Sequence, residues 1–185
     1  MAHLSEKPVS DALTYIAFTS YFGPDKSYAP EYGKMTPAAI AQLYYEAAAN
    51  TSTMVTTFSD FARSLGVGLA TYEAGPGYDV GAKMKPSPQL SNYILANRNK
   101  EMRPAMIRNA QDVYWKIAGT EAIYHQFTVQ GKCSRFGCWG ATEFFSDVWT
   151  MPEGSPKRQA VEELAGGSEL HRHRLEMRVP AQVVR

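Results

Sequence analysis

The sequence predicts an α/β fold in which three parallel β-strands alternate with helices. Three short apolar segments, rich in β-branched and aromatic residues, are each followed by a stretch with apolar residues at helical spacing. The connections between them are long enough for the crossovers that parallel strands require. The chain has 185 residues, of which 44% are hydrophobic and 20% charged, a composition typical of a globular domain.

The predicted strands are Ala12–Ser20, Val67–Tyr72 and Ala122–Val129. Glycine-containing breakers follow the first two, and Glu73 stands directly after the second. Three parallel strands alone leave their edges unpaired and one sheet face uncovered. The pattern therefore fits either a small α/β protein or part of a barrel whose other strands are missing.

Five helices are predicted between and after the strands. They run from the cap Thr36 to Asn50, over Thr51–Ser64, Pro88–Asn97 and Arg103–Gly119, and from Ser155 to Ala165. The residues after Ser168 are polar, rich in Arg and His, and unpatterned. We therefore predict a domain over 1–167 and a loose basic tail over 168–185.

Composition and motifs exclude several classes of function. The 19 basic and 18 acidic residues give a net charge of +1, which argues against a generally basic nucleic-acid binder. No apolar run is long enough for a membrane span, and the first residues contain no apolar signal-peptide core, so the compartment stays open. Nucleotide-binding and metallopeptidase motifs are missing from the sequence, so neither a cofactor nor a metal is predicted.

The two cysteines carry little functional signal. Cys133 and Cys138 are separated by four residues, which is neither the redox spacing nor that of a zinc knuckle. They are either buried structural thiols or a small loop-closing disulfide, the latter if the protein meets an oxidising compartment.

In parallel α/β folds the reactive residues stand at the carboxyl ends of the strands. The ends of the predicted strands place Tyr21, Glu73 and, beyond the third strand, Trp139 on one rim. No Lys or Arg lies within nine residues of Glu73 on either side, so no local salt bridge explains this carboxylate. Each residue also has a plain interpretation: a solvated Glu, a packing Tyr and a buried indole.

A second carboxylate is needed for most glycoside hydrolysis, about 5–5.5 Å away in retaining enzymes and about 6.5–9.5 Å away in inverting ones. Glu143, four residues after Trp139, is the candidate that this chain offers near a strand end. Tyr78, in the loop after Glu73, is a further candidate for stacking against a sugar ring.

Several of these segments together carry a family resemblance. The sequences VSDALTYIAFTSYFG, LGVGLATYEAGPGYD, AIYHQFTVQG, FGCWGATE and SPKRQAVEEL, which span Val9–Leu164, resemble the last three βα units of a (β/α)8 barrel. The group they resemble consists of glycoside-hydrolase-like proteins with a YEGG-type strand end, which are similar to the retaining clan A glycoside hydrolases. The fold that this resemblance implies is strands six to eight of an incomplete TIM-type barrel.

The resemblance implies roles for individual residues. Glu73 matches the nucleophile at the end of the seventh strand, and Tyr21 matches the tyrosine that orients it. Trp139 matches an aromatic residue that lines the sugar subsite. The Asn-Glu pair that carries the general acid/base in that clan has no counterpart here, and neither do strands one to five.

Three functional hypotheses follow. In the first, the chain is a C-terminal part of a glycoside-hydrolase-like protein, and a complementing barrel half or a second copy is its partner. The second is a non-catalytic carbohydrate-binding module in which Tyr72, Tyr78 and Trp139 stack on sugars. The third is a structural or assembly protein without sugar chemistry.

Overall fold

The computed structural model describes residues 9–77, 86–144 and 155–166. Tyr78 and the predicted tail over 168–185 lie outside the described residues. No helix in the described part of the chain is long and apolar enough to cross a membrane.

The fold is mixed α/β and has a small parallel sheet. Strand β1, Tyr15–Phe22, pairs in parallel with strand β2, Gly68–Pro76. Residues 122–130 lie along the other edge of β2 and join it through two parallel bridges, Ala70 with Ile123 and Ala74 with Gln126. The order of the three segments across the sheet is therefore the order in which they occur in the sequence.

The third segment is not the continuous strand predicted over Ala122–Val129. Between the two bridges, the backbone N–H of His125 donates to the side-chain Oγ1 of Thr71 at 2.8 Å, where a regular ladder would use a carbonyl. Side chains thus replace part of the backbone ladder, and the strand is reduced to separate bridges.

Strand β2 is also longer than predicted. The pairing register passes from Phe18 with Thr71 to Thr19 with Glu73, so Tyr72 is an extra residue in a β-bulge. The bulge absorbs one residue and allows the strand to continue to Pro76. Glu73 therefore lies inside β2, not after its end.

The helices follow the predicted order. The α-helices are α1 Pro37–Ala47, α2 Ser52–Leu65, α3 Pro88–Asn97, α4 Met102–Ile107, α5 Lys116–Ala118 and α6 Pro156–Leu164, and short 3₁₀ turns lie at Val9–Ala12, Lys26–Gly33 and Ala48–Thr51. The predicted caps are confirmed where Thr36 accepts from Ala39 and where Ser155 accepts from Arg158. Gly66 ends α2 in the left-handed conformation with φ of 67°.

The long predicted helix over Arg103–Gly119 is interrupted by a π-helical segment, Arg108–Trp115, between α4 and α5. Its Asn109 is fully buried and donates to the carbonyl of Ala48 and the hydroxyl of Thr51, both at 2.9 Å. The Tyr124 hydroxyl donates to the Asn109 side-chain oxygen at 2.9 Å. This buried network holds the third segment against the helices.

The two faces of the sheet have different surroundings. On one face, Phe18 and Phe22 are buried against the helices, and the Phe18 ring stacks on Phe58 with a centroid separation of 4.6 Å. The opposite face, called the open face below, is formed by alternate side chains of β1 and the third segment. Its members are Tyr15, Ala17, Thr19 and Tyr21, with Ile123, His125 and Phe127. On this face Tyr15 is 45% exposed. Val129, two residues after Phe127, is 75% exposed.

Candidate functional site

The centre of the candidate site is a hydrogen bond between two neighbouring strands. The Tyr21 hydroxyl of β1 donates to Glu73 Oε2 of β2 at 2.9 Å. In the register, Tyr21 is opposite Gly75 and Glu73 is opposite Thr19, so the phenol reaches diagonally across the strand pair. The two residues that the sequence placed on one rim are thus in direct contact.

Two glycines make room for this arrangement. A Cβ atom on Gly77 would overlap the Tyr21 ring, and one on Gly75 would overlap the Gln126 side chain. Gly75 also has φ of 116°, a conformation that other residues rarely adopt. Gly77 is therefore required by the packing of Tyr21, and Gly75 by its own backbone conformation.

A row of three aromatic rings begins at Tyr21, the residue that donates to Glu73. The Tyr21 and Phe127 rings meet edge to face with centroids 6.4 Å apart, and Phe127 and Trp139 are likewise 6.4 Å apart. Trp139 is half-buried, whereas 37% of Phe127 is exposed. The sequence analysis missed Phe127. The alternation of the third segment places it on the same face as Ile123 and His125, and that was a usable signal.

The electrostatics keep the phenol in its donating form. Partial burial raises the pKa of Tyr21 above its ordinary value, and the hydrogen bond to Glu73 and the charge of Glu73 raise it further. None of the ion pairs among the described residues includes Glu73. Its bonding partner is a neutral donor, so the carboxylate is held in place without being neutralised.

Glu143 has different surroundings. Arg98, just after α3, binds it with both ends of the guanidinium, Nε to Oε1 at 2.5 Å and Nη2 to Oε2 at 2.9 Å. The pKa of Glu143 is lowered first by this hydrogen bonding and also by the Arg98 charge, the Cys133 backbone N–H and the Lys157 charge, while burial opposes the shift. The carboxylate stays ionised in an ion pair, which does not suit a general acid at neutral pH.

A buried lysine lies beside this ion pair. Lys157, in the first turn of α6, is 4% exposed and donates from Nζ to the carbonyl of Cys138 at 2.6 Å. Burial lowers its pKa to about 7, against the opposing effect of the Glu143 charge. Cys133 and Cys138 form a disulfide, the second of the two states that the sequence left open.

The predicted site residues thus divide into two groups. Glu73, Tyr21 and Trp139 are linked through direct contacts and through Phe127, whereas Glu143 belongs to the ion pair with Arg98. Tyr78 falls outside the described residues. Over the described ranges, His, Cys, Asp and Glu side chains do not gather in any group of three that could hold a metal ion.

In comparisons with known proteins, no family model, no curated protein and no solved structure matches this chain.

Proposed function

We propose that the chain carries the nucleophile side of a glycoside-hydrolase-like site, with Glu73 as the nucleophile and Tyr21 as the residue that orients it. The observation that carries the proposal is the 2.9 Å hydrogen bond from the Tyr21 hydroxyl to Glu73. A neutral donor positions the carboxylate and leaves its charge available for attack on an anomeric carbon.

Two further observations support a carbohydrate as the ligand. Glu73 is partly exposed, and its donor Tyr21 begins the row of rings that continues through Phe127 to Trp139. Flat apolar rings of this kind suit the faces of sugar rings. The site also lies near the carboxyl ends of parallel strands, where α/β proteins bind their substrates.

We also propose a more specific fold, in which β1, β2 and the third segment are strands six to eight of a (β/α)8 barrel. Its support is the sequential parallel order and the contrast between one face covered by helices and the open face, which would point toward the barrel axis. A complementing barrel half that continues the sheet beyond β1 is the partner in this proposal.

The proposal has a chemical test that does not need the missing general acid. In an activated deoxyfluoroglycosyl fluoride, the Glu73 oxygen forms a bond to the anomeric carbon while the carbon–fluorine bond breaks, and fluoride leaves as the anion without a proton. We expect intact-mass spectrometry to show one added fluoroglycosyl group, and peptide mapping to place it on Glu73. The compounds to test are the deoxyfluoroglycosyl fluorides derived from glucose, mannose and xylose.

The matched variants are Glu73→Gln, which should abolish labelling, and Glu121→Gln, an exposed control that should label like the original chain. Hydrolysis of unactivated glycosides by this chain alone should stay undetectable, because the sequence has no Asn-Glu pair to supply the general acid/base of clan A. Labelling that survives Glu73→Gln contradicts the proposal. Turnover of a natural polysaccharide that disappears in Glu143→Gln would show that the acid/base role belongs to Glu143.

The second candidate function is a non-catalytic carbohydrate-binding module. The exposure of Phe127 and of Tyr72, which is 60% exposed, favours it because uncovered rings are available for stacking. Oligosaccharide binding that quenches tryptophan fluorescence, weakens in Trp139→Ala and proceeds without labelling of Glu73 would establish this function instead.

The open face also bears on the assembly hypothesis. Within the described residues β1 pairs with β2 alone, and apolar side chains such as Tyr15 and Ile123 stay uncovered. We propose that the isolated chain self-associates through this surface unless a complementing half is present. A single monomeric species in sedimentation velocity would favour a complete small domain instead.

A further inference from the structure

His125 occupies an unusual position beside β2. Its ring nitrogen Nδ1 lies 2.5 Å from the carbonyl oxygen of Thr71, and its backbone N–H donates to the Thr71 hydroxyl at 2.8 Å. Thr71 is completely buried. The backbone bond positions His125 beside β2, and the bond at Nδ1 orients its imidazole.

The first of these bonds determines the tautomer. A carbonyl oxygen can only accept, so Nδ1 must carry the hydrogen. In the neutral ring the lone pair is then on Nε2. Over the described residues Nε2 has no hydrogen-bond partner, and the side chain is exposed.

The register places His125 on the segment adjacent to the part of β2 that contains Glu73. Ile123 bridges to Ala70 and Gln126 bridges to Ala74, so His125 stands across from the bulge that contains Tyr72 and Glu73. His125 shares the open face with Phe127, whose ring contacts Tyr21. His125 and Glu73 therefore lie on adjacent segments of the sheet.

We infer that His125 is a ligand-binding residue, in which Nε2 accepts a hydrogen bond from a hydroxyl group of a carbohydrate bound at Glu73. The inference rests on the proposed function and adds a third polar contact to the pair formed by Tyr21 and Glu73. Anchoring of the third segment needs only Nδ1 and the backbone N–H, so it leaves Nε2 for the ligand.

The first test reads the tautomer without a ligand. In protein labelled with nitrogen-15 at histidine, a long-range proton–nitrogen correlation spectrum distinguishes protonated from unprotonated ring nitrogens. We expect Nδ1 of His125 to be protonated and Nε2 to be unprotonated at alkaline pH, with His125→Asn used for assignment. A neutral ring that carries its proton on Nε2 overturns the inference whatever binds to the protein.

The second test measures affinity for β-linked oligosaccharides of glucose, mannose and xylose by calorimetry. His125→Asn keeps an N–H at the position of Nδ1 that can donate to Thr71 but has no counterpart of Nε2, so its stability should match that of the original chain. Its affinity should fall about threefold to tenfold, the loss of one neutral hydrogen bond. His125→Gln, whose longer side chain reaches the position of Nε2, should recover part of the affinity.

The outcomes separate this inference from the proposed function. If Trp139→Ala weakens binding and Glu73 is labelled, while His125→Asn binds as tightly as the original chain, the inference is wrong and the function stands. If neither binding nor labelling occurs with any of the sugars, both the proposed function and the inference about His125 are wrong. Reduced affinity in His125→Asn that is partly recovered in His125→Gln, together with labelling of Glu73 in the original chain, supports both.

Discussion

Glu73 and Glu143 are the same residue type near the ends of neighbouring segments, yet their surroundings are opposite. Glu73 accepts from the neutral phenol of Tyr21 on the open face. Glu143 is bound by both ends of the Arg98 guanidinium, and its side chain is 14% exposed. The difference shows that position near a strand end does not determine whether a carboxylate is bound by a neutral or by a charged donor.

The Glu143 region behaves as a structural cluster. Arg98, Glu143 and Lys157 bring three ionisable groups together beside the Cys133–Cys138 disulfide loop. Removing one member should disturb stability and its dependence on pH. The Glu73 region should respond in the opposite way, with small changes in stability and large changes in ligand chemistry.

The largest effect should come from Lys157→Met. Burial lowers the pKa of Lys157 to about 7 from 10.5, so between these values the unfolded chain binds more protons than the folded one and stability rises with pH. From pH ~7 to ~9.5 we expect a gain of about 2–3 kcal/mol in the original chain and a flat profile in Lys157→Met. Urea unfolding at each pH measures it, and the exposed Lys100→Met should keep the rise.

A lysine that stays charged in the folded protein would give the same flat profile in the original chain and in Lys157→Met. That result would contradict the effect of burial on Lys157 and would weaken the structural interpretation of the cluster.

The next effect compares the two carboxylates directly. Glu143→Gln should cost about 2 kcal/mol, less than for a fully buried pair because half of Arg98 is exposed. Glu73→Gln should cost less than about 0.5 kcal/mol, since its amide oxygen still accepts from Tyr21. Chemical denaturation of both variants measures the difference, and equal costs would remove the contrast between the two sites.

The pH dependence sharpens the same comparison. The folded pKa of Glu143 is lowered, so its stabilising effect is present above its unfolded pKa and is lost as pH falls through the folded value. The original chain should therefore lose more stability on acidification than Glu143→Gln does. Parallel acid titrations of the two proteins would contradict this sign.

Gly77→Ala should have an intermediate effect on stability and a clear effect on the site. The added Cβ overlaps the Tyr21 ring, so the ring must move, at a cost of about 1–2 kcal/mol. Displacement of Tyr21 should also slow fluoroglycosyl labelling of Glu73. The control is Gly33→Ala, whose Cβ meets the flexible Gln89 side chain at 3.3 Å, and it should label at the original rate.

Tyr21→Phe should change stability only slightly, by at most about 1 kcal/mol for one half-buried hydrogen bond. Its main result should be slower labelling of Glu73, because the carboxylate loses the donor that orients it. Tyr28→Phe removes an exposed hydroxyl and serves as the control. If both variants label at the same rate, Tyr21 contributes only packing.

Local signals in the sequence were sufficient for much of the fold. Thr36 before a proline and Ser155 before another predicted two helix starts, and both side chains accept the expected backbone hydrogen bonds. The Pro88–Asn97 helix has its predicted bounds. These features depend on a few consecutive residues, so local chemistry determines them.

The candidate site was predictable only in part. Parallel strands align their carboxyl ends, which is why Tyr21 and Glu73 could be placed on one rim although 52 residues separate them. The ladder is broken at His125 because the Thr71 side chain takes the place of a backbone acceptor on the neighbouring strand. A prediction from consecutive residues cannot detect this exchange of partners, because the groups involved lie on different strands.

The sequence by itself determined the helix caps, the three apolar segments, their sequential order and the position of Glu73 beside a glycine-rich turn, because each follows from short-range chemistry or from the topology of parallel strands. The tertiary structure alone decided that Arg98 pairs with Glu143, that Lys157 is buried beside them, and that Phe127 joins Tyr21 to Trp139. These contacts depend on which of several similar side chains meets which after folding. The sequence therefore offers both Glu73 and Glu143 as candidates, and only the structure shows that one is bound by a phenol and the other by a guanidinium.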